Sequence, residues 1–190
     1  MKKHALNIAL ASALILPAAF ANASTGNIDF TGEVTTETCS LEADSAQINV
    51  PLGSWAAHHI NTLDRTTARK FQIKLTGCDL TVAPSGTTGP VSKANFAFSG
   101  GVADGNAKLL KLNSAGGFEA KNIGVGISTN PTDLTTARVQ FDRQAPLSMD
   151  LVDGDNTMDL YAFYEKFVTT PGTVTAGPAN AQATFEVTYN

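Results

Sequence analysis

The sequence predicts an all-β fold, an antiparallel β-sandwich. Short runs in which apolar and polar residues alternate recur along the chain, and β-branched residues are frequent within them. Glycine, proline, asparagine and aspartate separate these runs roughly every ten to fifteen positions. About nine strands fit this pattern, and strands spaced in this way are typical of two antiparallel sheets packed face to face.

The composition supports one folded domain. The chain has 190 residues, of which 43% are hydrophobic and 16% charged, and its formal net charge is −4. The hydrophobic share is sufficient for a core, and the charge is too low for a disordered tail. Nucleic-acid-binding surfaces usually carry an excess of lysine and arginine, so we expect no nucleic-acid partner.

Residues 1–23 are predicted to be a signal peptide that is removed on export. Two lysines precede an apolar segment, 8–19, and Ala21 and Ala23 supply the small residues that signal peptidase requires. We expect cleavage after Ala23, with cleavage after Ala21 as the alternative. No later stretch reaches about 20 apolar residues, so no membrane insertion of the mature chain is expected.

Export affects the interpretation of the two cysteines, Cys39 and Cys78, which both lie in the mature part. Two thiols in an oxidising compartment most simply form a disulfide. A metal site is not expected, because His58 and His59 are adjacent and fit a solvated loop better than a shared tetrahedral ion.

The strands are predicted in order from the alternating pattern. They cover residues 47–52, 70–75, 95–99, 110–112, 122–128, 138–141, 147–152, 160–168 and 182–189. Segment 54–63 is a weak helix candidate of one turn at most. The tetrapeptide 153–156 fits a hairpin turn better than a calcium loop.

The two ends of the mature chain also alternate. Near the C-terminus, Phe185, Val187 and Tyr189 share one face, and because chain ends usually fray, we expect this strand to be docked. Near the N-terminus, Gly26, Ile28, Phe30, Gly32 and Val34 share one parity, which Cys39 does not keep, so a bulge or a change of sheet is expected between them. Ordinary first and last strands would explain both ends.

No catalytic motif is present. The chain contains neither G-x-S-x-G nor H-E-x-x-H, and Gly124-Val125-Gly126 lacks the third glycine of a dinucleotide site. We therefore expect neither an enzyme nor a cofactor.

Several segments, in order, resemble the type 1 fimbrial pilin family, and together they cover the whole mature chain. They are G-N-I-D-F-T-G-E-V (26–34), T-C-S-L around Cys39, V-P-L-G (50–53), F-Q-I-K-L-T-G-C-D (71–79), G-V-G-I (124–127), D-L-Y-A-F-Y (159–164) and T-A-G-P-A-N-A-Q-A-T-F-E-V-T-Y-N (175–190).

The resemblance implies a subunit of a chaperone–usher pilus. Its fold would be an incomplete immunoglobulin-like sandwich, in which a missing strand leaves a groove. A periplasmic chaperone would fill the groove first, and the N-terminal extension of the next subunit would then replace it. The extension would be residues 24–33 and the pilin domain residues 34–190.

The resemblance also assigns residues. Gly26, Ile28 and Phe30 would be donor-strand positions. The groove and chaperone-binding strand would use Gly177, Phe185, Val187 and Tyr189, of which the glycine and the tyrosine match family positions. One departure is that only six residues precede Phe30 after the expected cleavage, which leaves major or minor status open.

The implied partners are a periplasmic chaperone, an outer-membrane usher, other copies of this chain and other pilus subunits. The implied location is a fimbrium at the cell surface, reached through the periplasm, where the chain would contribute to cell adhesion. The alternative is a single-domain adhesive or minor adaptor subunit that binds a host glycan. A two-domain adhesin fits less well, because the chain has room for one domain and carries a donor-like segment.

Overall fold

The structure is a computed structural model, and it describes residues 27–29, 31–32, 34, 36–83, 89–103, 105–167 and 172–190. One compact unit comprises Thr35–Asn190. Its strands are β1 Ser40–Leu41, β2 Arg69–Cys78, β3 Lys93–Gly100, β4 Val102–Ala103, β5 Asn106–Leu110, β6 Ile123–Ser128, β7 Leu147–Asp150, β8 Gly154–Lys166 and β9 Ala183–Tyr189. Its helices are α1 Ala43–Ala46 and α2 Ala57–Leu63, and neither has the length and apolarity that crossing a membrane requires.

The strands form two antiparallel sheets, which confirms the predicted sandwich. The large sheet has the order β1-β2-β8-β6-β5-β4, and the small sheet has the order β7-β3-β9. Inward side chains of both sheets share one apolar cluster, and Ile73, Leu75, Phe96 and Leu160 in it are completely buried. The alternation in the sequence predicted this arrangement because period two places every second residue on the core face.

Segment 138–141 is not the strand that the sequence predicts. The Val139 N–H donates to the carbonyl of Ile127 in β6 (3.0 Å), whereas Phe141 donates to β5 (2.8 Å) and accepts from Gly100 of β3 (3.1 Å). The segment changes its partner within a few residues, so no ladder can form. It connects the two sheets, because it bonds to β5 and β6 of the large sheet and to β3 of the small sheet.

The helix candidate is longer than predicted. It spans Ala57–Leu63 and ends at Asp64, whose φ of 63° is left-handed and whose N–H donates to the Ile60 carbonyl (2.9 Å). His58 and His59 therefore lie on a helix and not in a solvated loop. Ile60 is only 3% exposed, so burial of this side chain stabilises a helix that intrinsic propensity alone would not form.

Candidate functional site

The last strand, β9, has a partner on one edge only. It pairs with β3 from Ala183 to Tyr189, and among the described residues no strand pairs with its other edge. Phe185 and Val187 are half-buried toward the core, whereas the residues between them are exposed. The strand is docked to its end, because the Asn190 N–H donates to Lys93 (3.1 Å), which confirms the expected order at this terminus.

The segment opposite β9 is extended but does not form the strand predicted at 47–52. Ile48, Val50 and Leu52 are half-buried and the residues between them are exposed, as the alternation predicted. However, among the described residues no strand pairs with 48–53, and the one hydrogen bond to its main chain runs from the Trp55 indole N–H to the Leu52 carbonyl (2.8 Å). Packing against the core therefore holds this segment, and its main-chain groups other than the Leu52 carbonyl are open to a partner strand.

Together these two segments are the walls of a long groove. Residues 46–53 form the first wall, residues 179–185 form the second wall, and the groove volume is about 1150 Å³. The floor is apolar and comes from both sheets; it comprises Phe71, Ile73, Phe98, Leu110, Val125, Ile127, Ala162 and Tyr164. An apolar floor between two walls that each have an edge without a strand partner fits one additional strand, which would bond to both walls and place alternate side chains on the floor.

Two buried tyrosines bond to main-chain carbonyls near the two ends of the segment that contains the second wall and β9. The Tyr164 hydroxyl donates to the Ala179 carbonyl (2.8 Å), and the Tyr189 hydroxyl donates to the Cys39 carbonyl (3.4 Å). Burial, with the Glu37 carboxylate nearby, raises the pKa of Tyr189 to about 12, and burial also raises the pKa of Tyr164. Both hydroxyls therefore remain protonated donors at neutral pH.

Gly177 lies before β9, not within it. A Cβ placed on Gly177 would lie 2.3 Å from the Phe118 carbonyl oxygen and 2.5 Å from the Ala120 nitrogen. The main chain of 118–120 thus packs directly on this glycine. This glycine allows close packing behind the second wall. The alternating pattern near the C-terminus carries no information about this contact.

The predicted disulfide between Cys39 and Cys78 is confirmed. Cys39 directly precedes β1, Cys78 ends β2, and both are buried. The Asn156 amide donates to the Cys78 sulfur (3.3 Å). The bridge therefore anchors, on β2, the chain that leads into the first wall.

The acidic residues around the β7–β8 connection bind main-chain groups. Asp153 accepts from the Leu80 N–H (3.1 Å) and Asp155 accepts from the Gly77 N–H (3.3 Å). Gly154 between them has a φ of 91°, as a tight turn requires, but the turn is not the predicted hairpin, because β7 and β8 belong to different sheets and do not pair. Within the described part of the chain, no group of three or more metal-ligating side chains is assembled.

The donor-strand positions are not tested by the structure. Ile28 is 78% exposed, and Gly26 and Phe30 lie outside the described residues. The sequence analysis missed the floor and Tyr164, although a signal existed. In D-L-Y-A-F-Y, the inward parity of Leu160 and Ala162 also places Tyr164 on the core face.

Comparisons with known proteins agree with this geometry. The profile described as Fimbrial protein matches residues 28–190. The chain is 35% identical over 199 residues to the type-1 fimbrial protein A chain of Escherichia coli, with 100% of both chains covered. It is 35% identical over 198 residues to fimbrial subunit type 1 of Klebsiella pneumoniae, again with 100% of both covered.

Solved structures show the same fold. A chain from a chaperone–usher pilus structure superimposes with a TM-score of 0.74 at 22% identity, covering 91% of this chain and 100% of that one. The P pilus rod subunit PapA gives a TM-score of 0.67 at 22% identity, covering 81% and 100%. The fold is the incomplete immunoglobulin-like sandwich that the resemblance implied. With a family profile over most of its length and relatives that match from end to end, the chain belongs to the fimbrial protein family.

Proposed function

We propose that this chain is a structural subunit of a chaperone–usher fimbria that polymerises by donor-strand exchange and contributes to cell adhesion. The groove supports this proposal most directly. Its floor is formed by apolar side chains of the core, and its walls at 46–53 and 179–185 have main-chain groups without a strand partner. Such a site is built for a polypeptide strand and not for a reacting small molecule.

The occupant in the fibre is residues 24–33 of a second copy. Gly26, Ile28 and Phe30 share one parity, so an extended strand places all three toward the floor while its main chain faces both walls. Burying one large apolar side chain completely is worth roughly 1.5–3 kcal/mol. The donor side chains therefore stabilise the neighbour and not their own domain.

Other partners follow from the same groove. An apolar floor with unpaired walls is an aggregation hazard in the free subunit. A periplasmic chaperone fills the groove after export. At an outer-membrane usher, the donor strand of the next subunit then replaces the chaperone. The assembled chain is then part of a fimbrium at the cell surface.

The first experiment supplies the donor within one chain. Residues 24–34 are fused after Asn190 through a short flexible linker, and the mature chain without the fusion is the comparison. We expect the fusion to be a soluble monomer and the unfused chain to aggregate, polymerise or be degraded. A matched control fuses the same residues in an order that destroys the apolar alternation. A stable unfused monomer with a cooperative melt would refute the proposal.

A second experiment separates the donor from the groove. Phe30→Ala is expected to weaken subunit joints and leave the chaperone complex intact, whereas Gly26→Leu is expected to block polymerisation by overpacking, at about 1–3 kcal/mol. Tyr189→Ala is expected to reduce recovery of the chaperone complex, because it removes a buried side chain from the strand beside the groove. Co-purification with the chaperone and fibre assembly are measured for each variant, and normal fibres from both donor variants would contradict the donor assignment.

A further inference from the structure

We propose that Tyr164 is a positioning residue that fixes one end of the groove and so sets how far a donor strand can pair with the β9 side. The inference rests on the proposed function, because it concerns the strand that enters the groove. It assigns a role to a residue that contacts the wall and not to one of the pocket-filling positions.

The main chain of Tyr164 is firmly held within the large sheet. Tyr164 pairs with Val125 of β6. On the other side, its N–H donates to the Thr66 hydroxyl (3.0 Å) and its carbonyl accepts from the Thr66 N–H (3.0 Å). Thr66 is itself only 3% exposed. Because its main chain is held from both sides, the position from which the ring extends is fixed.

The ring reaches across to the second wall at the groove end. Its hydroxyl donates to the Ala179 carbonyl over 2.8 Å. A second cavity of about 360 Å³ lies beyond this contact, and Gly53, Tyr164, Ala179 and Asn180 line both the groove and that cavity. Tyr164 therefore stands at the boundary between the two spaces.

Three successive carbonyls, at the start of the second wall and directly before it, are already bonded at this boundary. Ala179 bonds to Tyr164, Pro178 accepts from the Ala120 N–H (3.0 Å) and Asn180 accepts from the Asn113 N–H (2.7 Å). Because the N–H groups of a donor strand bond best to carbonyls that have no other partner, we expect its ladder on this side to begin at Ala181. The Tyr164 bond is the one that ties this end of the wall to the groove floor, so it holds the bonded carbonyls, and with them the start of the ladder, in place.

The test uses the mature chain refolded with a peptide of residues 24–34. Tyr164→Phe removes the hydroxyl and keeps the ring, and Tyr161→Phe is the matched control because Tyr161 is half-exposed on the opposite parity of β8. We expect Tyr164→Phe to release the peptide faster, by up to roughly tenfold, because the end of the wall is then no longer held where the peptide pairs and the worth of one hydrogen bond bounds the effect. We expect Tyr161→Phe to release it at the rate of the unchanged chain.

Hydrogen exchange distinguishes positioning from a general structural role. We expect Tyr164→Phe to speed amide exchange at 179–182 and in the facing peptide residues, while β2 and β3 keep their protection. Uniformly faster exchange in all strands, or an unchanged release rate, would overturn the inference. If the unchanged chain binds no peptide, the proposed function fails; if it binds and Tyr164→Phe behaves as the control does, only this inference fails.

A measurement without any variant covers the case in which Tyr164→Phe does not fold. In the unchanged chain with isotopically labelled peptide, couplings across hydrogen bonds identify which wall carbonyl each peptide N–H contacts. We expect bonds from Ala181 onward and none to Pro178, Ala179 or Asn180. A peptide N–H bonded to the Ala179 carbonyl would refute the proposal directly.

Discussion

Substituting Gly177 tests whether close packing behind the second wall shapes the groove. In Gly177→Ala, the new methyl group would lie 2.3 Å from the Phe118 carbonyl oxygen, 2.5 Å from the Ala120 nitrogen and 2.7 Å from the Glu119 carbonyl carbon. All three neighbours are main-chain atoms, so no side chain can rotate away. The backbone of 118–120, or the wall, must therefore move.

The required movement is roughly 1 Å, because ordinary contacts of carbon begin at about 3.5 Å. Overpacking of this kind costs about 1–3 kcal/mol. For a domain of this size that corresponds to a fall of about 2–12 °C in the melting temperature. Since the Pro178 carbonyl accepts from the Ala120 N–H (3.0 Å), movement of this loop also displaces the wall.

The assay is thermal unfolding of the donor-fused monomer, together with fibre assembly by the unfused chain. The matched control is Gly101→Ala, where a new Cβ meets only the Lys111 Cβ at 3.9 Å, an ordinary contact. We expect Gly177→Ala to melt lower and to assemble poorly, and Gly101→Ala to behave normally. If Gly177→Ala matches Gly101→Ala in both measurements, the packing argument is wrong.

Three further predictions concern other parts of the fold. Replacing Cys39 and Cys78 by alanine should lower the unfolding free energy of the donor-fused monomer by about 4 kcal/mol, the loop-closure value for their separation of 39 residues, and unchanged denaturant stability would contradict it. Glu165→Gln should cost about 3 kcal/mol, the low end for a buried ion pair because Glu165 is 17% exposed, since the Arg138 side chain beside it is only 5% exposed and would lose its charge partner; a double-mutant cycle with Arg138→Met measures this coupling. The hydrogen bond from the Lys121 ammonium, followed by those from main-chain amides, lowers the pKa of Glu119 to about 2, so its contribution to stability is complete above its ordinary value of 4.5 and is lost as the pH falls toward 2. The Ala115 N–H donates to Glu119 (3.0 Å), so the protection factor of this amide, which corrects for the intrinsic pH dependence of exchange, should fall over that interval and should stay constant in Glu119→Gln.

Much of the sandwich could be predicted, because a strand with one face in the core must alternate. β2, β3, β6 and β9 lie close to their predicted ranges for this reason. The same alternation at Ile48, Val50 and Leu52 correctly gave the buried face, but it carries no information about hydrogen-bond partners. The groove therefore became visible only in three dimensions.

The errors have a common physical cause, which is contact between residues far apart in the sequence. Burial of Ile60 lengthened a helix that local propensity disfavours, and changing partners prevented a strand at 138–141. Gly177 was predicted to matter from the family resemblance, yet its close approach to 118–120 could not be deduced from spacing. Tyr164 lies in an aromatic-rich strand, and the sequence pattern did not distinguish it from the other aromatic residues there.

The two walls of the groove also affect the order in which the chain can fold. The Tyr189 hydroxyl and the Cys39 carbonyl that it contacts are 150 positions apart, and the amide of Asn95 meets the side chain of Asn190 from 95 positions away. Contacts of such long range form slowly, because the entropy of closing the loop is lost before the contact forms. Residues 46–53 are synthesised well before residues 179–185, so the groove cannot form until nearly the whole chain has been made. Any factor that shields 46–53 during this interval would act on a folding intermediate and not on the finished subunit.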